Sequence, residues 1–208
     1  MTRIIYLFIL DTMADWEPGY VLAELGSGRF FQFPEKRYQL LLCGRTREPI
    51  TTMGGVHLVP DLSIEEIQPG ADHVLILPGA DTWLDPIQAP VLEMVRKLLE
   101  TDMVIAAICG ATMGLAQTGL LNNRKHTSND LQALKMFCPE YSGDTFYTNE
   151  PAITDGNLIT ATGLAPIDFA KQIFIRLNVM KESTLNAWYL LHTTREPEYY
   201  HTLIESLT

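Results

Sequence analysis

The sequence predicts an α/β protein built on a mostly parallel sheet with helices on both faces. Three observations carry this. Short apolar runs at 3–10, 38–43, 73–77 and 103–108 are rich in Ile, Val and Leu and carry few charges, as strands buried on both faces do. Longer segments of helical periodicity alternate with them. The last of the four runs turns directly into a helix at a lone cysteine, Cys109.

Taken in order, Met1 to Leu10 runs into acidic Asp11 without a small-residue cleavage site, so it reads as the first buried strand and not as a leader or membrane span. A helix over 15–25 follows, with Asp15 as its N-cap. Met53-Gly54-Gly55, between Thr51-Thr52 and Val56 to Val59, predicts a hairpin or tight loop hung on the main sheet. Over 88–100, Ile87, Val91, Met94, Val95, Leu98 and Leu99 recur at helical spacing.

The segment Met103 to Leu115 is the most informative. Ala107 and Ala111 lie two residues either side of Cys109, with Gly110 next to it. This small-x-nucleophile-x-small pattern is what a sharp strand-to-helix turn needs for steric reasons. A thiol there sits beside free N–H groups at a helix start, which should lower its pKa. The plainer alternative is a buried cysteine filling a small gap.

Beyond the elbow, Lys125 to Ser128 reads as a short strand, followed by a helix from about Asp130 to Phe137. Asp155-Gly156 is a hairpin signal within 148–163, and 164–177 is helical. The last 30 residues, with Leu185, Trp188, Tyr189, Tyr200, Leu203 and Ile204, read as two amphipathic helices interrupted before Pro197.

With 208 residues, 47% of them hydrophobic, the chain suits one domain over 1–208, in which 179–208 form a C-terminal helical extension. A net charge of −10 argues against nucleic acid or an anionic membrane as partner. Cys43, Cys109 and Cys138 have neither disulfide-framework nor zinc-ligand spacing. No cofactor or metal is implied, and a reducing cytoplasm is the expected compartment.

Leu77-Pro-Gly-Ala80, Ala106 to Ala111, and Leu158 to Gly163 before a long helix resemble the ThiJ/PfpI superfamily, with its glutamine amidotransferase-like fold, in order and spacing. The resemblance spans about residues 3 to 178. It implies a flavodoxin-like doubly wound α/β sandwich, a homodimer, and a cysteine on a nucleophile elbow beside a protonated glutamate from just after the first strand. These features map onto Cys109 and Glu17. Without the resemblance, Glu17 reads as a first-turn glutamate facing a helix dipole. Ala80 and Gly110 are then the backbone N–H donors for an oxyanion.

The chain departs from that pattern. Gly110 stands where the family's proteases commonly carry a histidine, and no His-x-Glu triplet completes an amidotransferase triad. Other members supply a histidine from the strand after the elbow helix, where this chain aligns Asn129. His126, three residues earlier, should point to the opposite strand face. Trp83, like Trp16, is either a pocket wall or ordinary core or interface.

Two functions stay open. One is a cysteine-dependent hydrolase or lyase, glyoxalase-, hydratase- or amidase-like, acting on a small carbonyl or acyl metabolite. The other is a redox-sensing, stress-response protein whose Cys109 is oxidised. A third possibility is a pocket that only binds a ligand or partner protein.

Overall fold

The computed structural model describes residues 3–207; Met1 and Thr2, part of the first predicted strand, lie outside it. The elements are, in order, β1 (Arg3–Phe8), α1 (Gly19–Ser27), β2 (Tyr38–Gly44), β3 (Ile50–Thr51), β4 (His57–Leu58), β5 (Leu62–Ser63), β6 (Val74–Leu77) and α2 (Ala89–Leu98). They continue as β7 (Val104–Ile108), α3 (Gly110–Gln117), α4 (Leu131–Phe137), β8 (Ala152–Asp155), β9 (Leu158–Ala161), α5 (Pro166–Leu177), α6 (Glu182–Thr194) and α7 (Glu198–Glu205).

Seven strands form one sheet in the order β5-β2-β1-β6-β7-β9-β8. All neighbours are parallel except the β8–β9 hairpin. The central strands β6 and β7 are fully buried, which explains their unbroken apolar runs. From β1 the chain first winds outward to β2 and then reverses to β6 and β7, so right-handed crossovers place α1 and α2 on opposite faces. Helix α5 returns to pack against α1. The reversal at β1/β6 opens a crevice at the strands' carboxyl ends, the usual ligand position in such sheets.

Two local readings need correction. Helix α1 starts at Gly19, after Pro18, and Asp15 is not its cap. The Asp15 carboxylate instead accepts from Thr52 Oγ1 at 2.5 Å and Gly54 N at 2.7 Å, holding the β3–β4 hairpin against the loop after β1. Lys125–Ser128 forms no strand but one isolated parallel bridge, between His126 and Tyr147. The C-terminal extension packs against the rest of the chain through part of its apolar face, leaving Tyr200 and Ile204 exposed. Trp188, Ala187, Leu185 and Leu203 are buried within the chain, Trp188 lies 5.2 Å from Phe174 of α5, and its Nε1 donates to buried Glu24 of α1 at 3.1 Å.

Candidate active site

Register assembles the site. Leu77 pairs with Ala107 and Ile108 with Ala161, so the turns after β6 and β9 flank the residue that follows β7, which is Cys109. Its N–H donates to Ala161 O at 3.0 Å. Cys109 has φ 59° and ψ −126°, a region a non-glycine residue enters only where the surroundings enforce it, at a cost of about 1–3 kcal/mol. The chain turns from strand to helix on this one residue, which is the elbow.

The neighbours are small because nothing larger fits. A Cβ on Gly163 would come within 2.7 Å of Cys109 Sγ, and one on Gly79 within 2.9 Å. The same added atoms would lie 3.1 and 2.9 Å from Glu17 Oε1, so the two glycines bracket thiol and carboxyl together. Glu17 comes from the loop after β1, which is tied to Gly79 twice: Ala14 N donates to Gly79 O at 2.9 Å, and Gly79 N donates to Glu17 Oε2 at 2.5 Å. Glu17 precedes α1, so it is no first-turn helix residue.

Glu17 is 0% exposed, and its Oε1 is reached by no hydrogen-bond donor among the described residues. Burial pushes its pKa up, against smaller opposing effects from the Gly79 N–H and Cys109. An unpartnered, desolvated carboxylate oxygen is costly, and a neutral acid carrying its proton on Oε1 removes that cost. The thiol departs from expectation. Burial pushes the Cys109 pKa up, and the Glu17 charge adds to this, while the Asn129 amide and the Gly110 N–H pull the other way. The helix-start effect is real but smaller than desolvation.

Asn129 fills the position facing the sulfur. Its Oδ1 accepts from Gly163 N at 2.8 Å and Thr162 Oγ1 at 3.2 Å, which leaves Nδ2 to donate to Cys109 Sγ at 3.2 Å. An amide donates here and takes no proton. The segment is pinned by Thr127 N donating to Thr160 Oγ1 at 2.9 Å and by the Ser128–Thr112 hydroxyl contact at 2.7 Å. Thr112 Oγ1 also donates to Cys109 O at 2.6 Å. Sequence reading did not single out Thr112, Thr162 or Gly163 as supports for the site; the Thr-Gly pair after β9 was the one visible signal.

His126 is not part of this pocket. It is fully buried, with Nε2 on Tyr141 Oη at 2.8 Å and Nδ1 on Arg124 O at 2.7 Å, and burial lowers its pKa. Ala80 packs on the elbow so tightly that a Cβ on Gly110 would lie 2.7 Å from Ala80 O. Trp83 is buried, and its Nε1 donates to Pro78 O at 2.7 Å. It walls a cavity of about 250 Å³ shared with Ala80, Gly110, Met113 and Phe137. Trp16, 55% exposed, lies instead beside Tyr20 and His192.

Comparison with known proteins gives the following. The family model described as the DJ-1/PfpI family matches residues 3–175, leaving α6 and α7 outside it. A Bacillus subtilis (strain 168) protein named "Uncharacterized protease YoaZ" is 46% identical over 206 residues, 99% of this chain and 98% of that protein, so the extension is shared. A crystal structure of a thiJ/pfpI family protein from Bacillus anthracis superposes with a TM-score of 0.95 at 43% identity, covering 99% of this chain and 97% of the other. That of the DJ-1 superfamily protein Atu0886 from Agrobacterium tumefaciens gives 0.78 at 30% identity, covering 94% and 99%.

Proposed function

The chain belongs to the DJ-1/PfpI family, and on that premise we propose that it is a cysteine-dependent enzyme acting on a small carbonyl or acyl metabolite, with Cys109 as nucleophile and Glu17 as proton carrier. One observation carries this reading: the buried Glu17 Oε1, without a hydrogen-bond donor among the described residues, lies between the same two glycines as the Cys109 sulfur. In the proposed step the sulfur bonds to the carbonyl carbon and the C=O π pair moves to oxygen. Glu17 gives that oxygen its Oε1 proton and receives the thiol proton, so the pair ends neutral. The Ala80 and Gly110 N–H groups stabilise the developing oxyanion, and Trp83 walls the substrate's side of the elbow. Peptidase chemistry is disfavoured, although the Bacillus subtilis relative carries that name, because no imidazole among the described residues faces the thiol: Gly110 follows it, Asn129 stands across from it, and His126 is turned away.

A second reading rests on the same donors. Asn129 Nδ2, the Gly110 N–H and a protonated Glu17 converge on one sulfur, which suits the oxygens of a sulfinic acid formed by peroxide in a redox-responsive protein. Turnover of methylglyoxal or an isonitrile by the wild type, lost in Cys109→Ser, supports the enzyme. No turnover, with a mass gain of two oxygens after mild peroxide, supports the sensor. In either reading the protein acts in the cytoplasm as a homodimer, without nucleic acid or membrane. Among the described residues no helix is long and apolar enough to cross a membrane. The dimer rests on the family, since most of the extension's apolar face packs within the chain while Tyr200 and Ile204 stay exposed.

A further inference from the structure

Cys109 holds φ 59° and ψ −126°, and such a backbone persists only where its surroundings over-determine it. The restraint falls on its carbonyl. Cys109 O accepts from Thr112 N at 3.0 Å and from Thr112 Oγ1 at 2.6 Å, so a single side chain adds a second donor that aims the peptide plane and with it ψ.

The hydroxyl protons follow from the partners. A carbonyl only accepts, so the Thr112 hydroxyl proton lies toward Cys109 O. Thr112 Oγ1, 2.7 Å from Ser128 Oγ, is left to accept, and the Ser128 hydroxyl donates. The order is therefore Ser128 to Thr112 to Cys109. Thr112 is 0% and Ser128 3% exposed, so bulk water does not stand in for either hydroxyl, and a buried partner left unpaired is costly. Ser128 directly precedes Asn129, whose Nδ2 meets the sulfur. One short segment thus grips Cys109 at two points, at the carbonyl through Thr112 and at the sulfur through Asn129.

We propose that Thr112 and Ser128 are positioning residues for the Cys109 thiol: their ordered hydroxyl pair holds the elbow in its left-handed conformation and keeps the Asn129 amide aimed at the sulfur. The proposal rests on the reading of Cys109 as the reacting group, and both residues act through Cys109 and Asn129, not on a substrate.

The test is the pH profile of Cys109 alkylation by iodoacetamide, read by peptide mapping beside Tm, in wild type, Thr112→Val, Thr112→Ser, Ser128→Ala and the Thr112→Val/Ser128→Ala double variant. Thr112→Val keeps the branched shape but cannot donate. Its profile should move to higher pH, with labelling at neutral pH slower by roughly threefold or more, whereas Thr112→Ser keeps the hydroxyl and should follow wild type. The double variant removes both buried partners, so Tm should recover relative to Thr112→Val while the profile stays displaced. A Thr112→Val profile that coincides with wild type or moves to lower pH, an equal displacement in Thr112→Ser, or a double variant whose profile recovers with its Tm overturns the proposal. Should Thr112→Val fail to fold, an unchanged profile in Ser128→Ala overturns it and a displacement to higher pH supports it. Alkylation needs no turnover, so absence of the metabolite reaction in wild type, or its survival in Cys109→Ser, refutes the enzyme and leaves this test standing.

Discussion

Asn129 donates its side-chain N–H to the sulfur of Cys109 at 3.2 Å because Gly163 and Thr162 hold the amide's other end. The sulfur therefore faces a fixed donor where a base would otherwise stand. Proton traffic at the site falls to Glu17.

Asn129→Ala should accordingly raise the thiol pKa. A hydrogen bond to a charged group contributes about 1.5–3 kcal/mol, and the partial exposure of Cys109 places the effect at the lower end. The pH dependence of iodoacetamide labelling reads this directly. A profile unchanged from wild type would show that the contact does not hold the thiolate.

Cys109 should be the first thiol labelled by stoichiometric iodoacetamide. Cys43 is fully buried and pushed up to about 12, and Cys138 is also buried and raised. Because burial raises Cys109 as well, its labelling should accelerate well into the alkaline range. Peptide mapping that finds Cys43 or Cys138 modified first at neutral pH contradicts this.

The architecture was legible from the residues because it is written in local patterns. Val74 to Leu77 and Val104 to Ile108 must be apolar to sit in the middle of the sheet, and Gly110 must be small to pass Ala80. What local pattern misjudged depends on distant partners. Asp15 looked like a cap, but its partners Thr52 and Gly54 lie almost forty residues on. The thiol pKa is read in the sequence from the helix start alone, whereas burial outweighs it, and the turns carrying Gly79 and Gly163 meet Cys109 only in the fold. The resemblance aligned Asn129 with the family's histidine, and strand alternation turned His126 the other way; in the structure Asn129 meets Cys109 while His126 bonds Tyr141 and Arg124.

Gly163→Ala should destabilise the protein and slow Cys109 labelling together. Its new methyl would press on both Cys109 Sγ and Glu17 Oε1, an overpacking that typically costs about 1–3 kcal/mol. Gly26→Ala, inside α1 with nothing within 4 Å of the added atom, should instead stabilise by about 0.5–1 kcal/mol. Thermal denaturation compares the two, and equal effects would argue against a crowded site.

Trp188→Ala should cost about 3–5 kcal/mol, because the indole is fully buried against Phe174 and its N–H meets Glu24. The Arg29 pair with Glu24 remains, so the carboxylate is not left alone. Urea denaturation showing a loss under 1 kcal/mol would mean that the extension is not integral to the fold.

Glu17 has a pKa raised in the fold, so the folded state holds its proton more tightly than the unfolded chain. Its contribution to stability is therefore fully present below the unfolded value near 4.5 and is lost as pH rises through the folded value. Glu17→Gln, which stays neutral, should remove that loss and show a flatter dependence of Tm on pH from 4 upward. Parallel curves for wild type and variant would contradict a raised pKa.

The most direct measurement is the Cys109 thiolate titration, followed by ultraviolet absorbance and corrected against Cys109→Ser, in wild type, Glu17→Gln and Glu17→Asp. Glu17 and Cys109 titrate as a pair, and the second proton leaves against the charge left by the first; Glu17→Gln removes that charge, so the thiol should complete its titration at lower pH than in wild type. Glu17→Asp, with a shorter reach, should give a third, distinct curve. Three coincident curves would contradict the account, leaving Glu17 as a buried loop residue with no part in the chemistry.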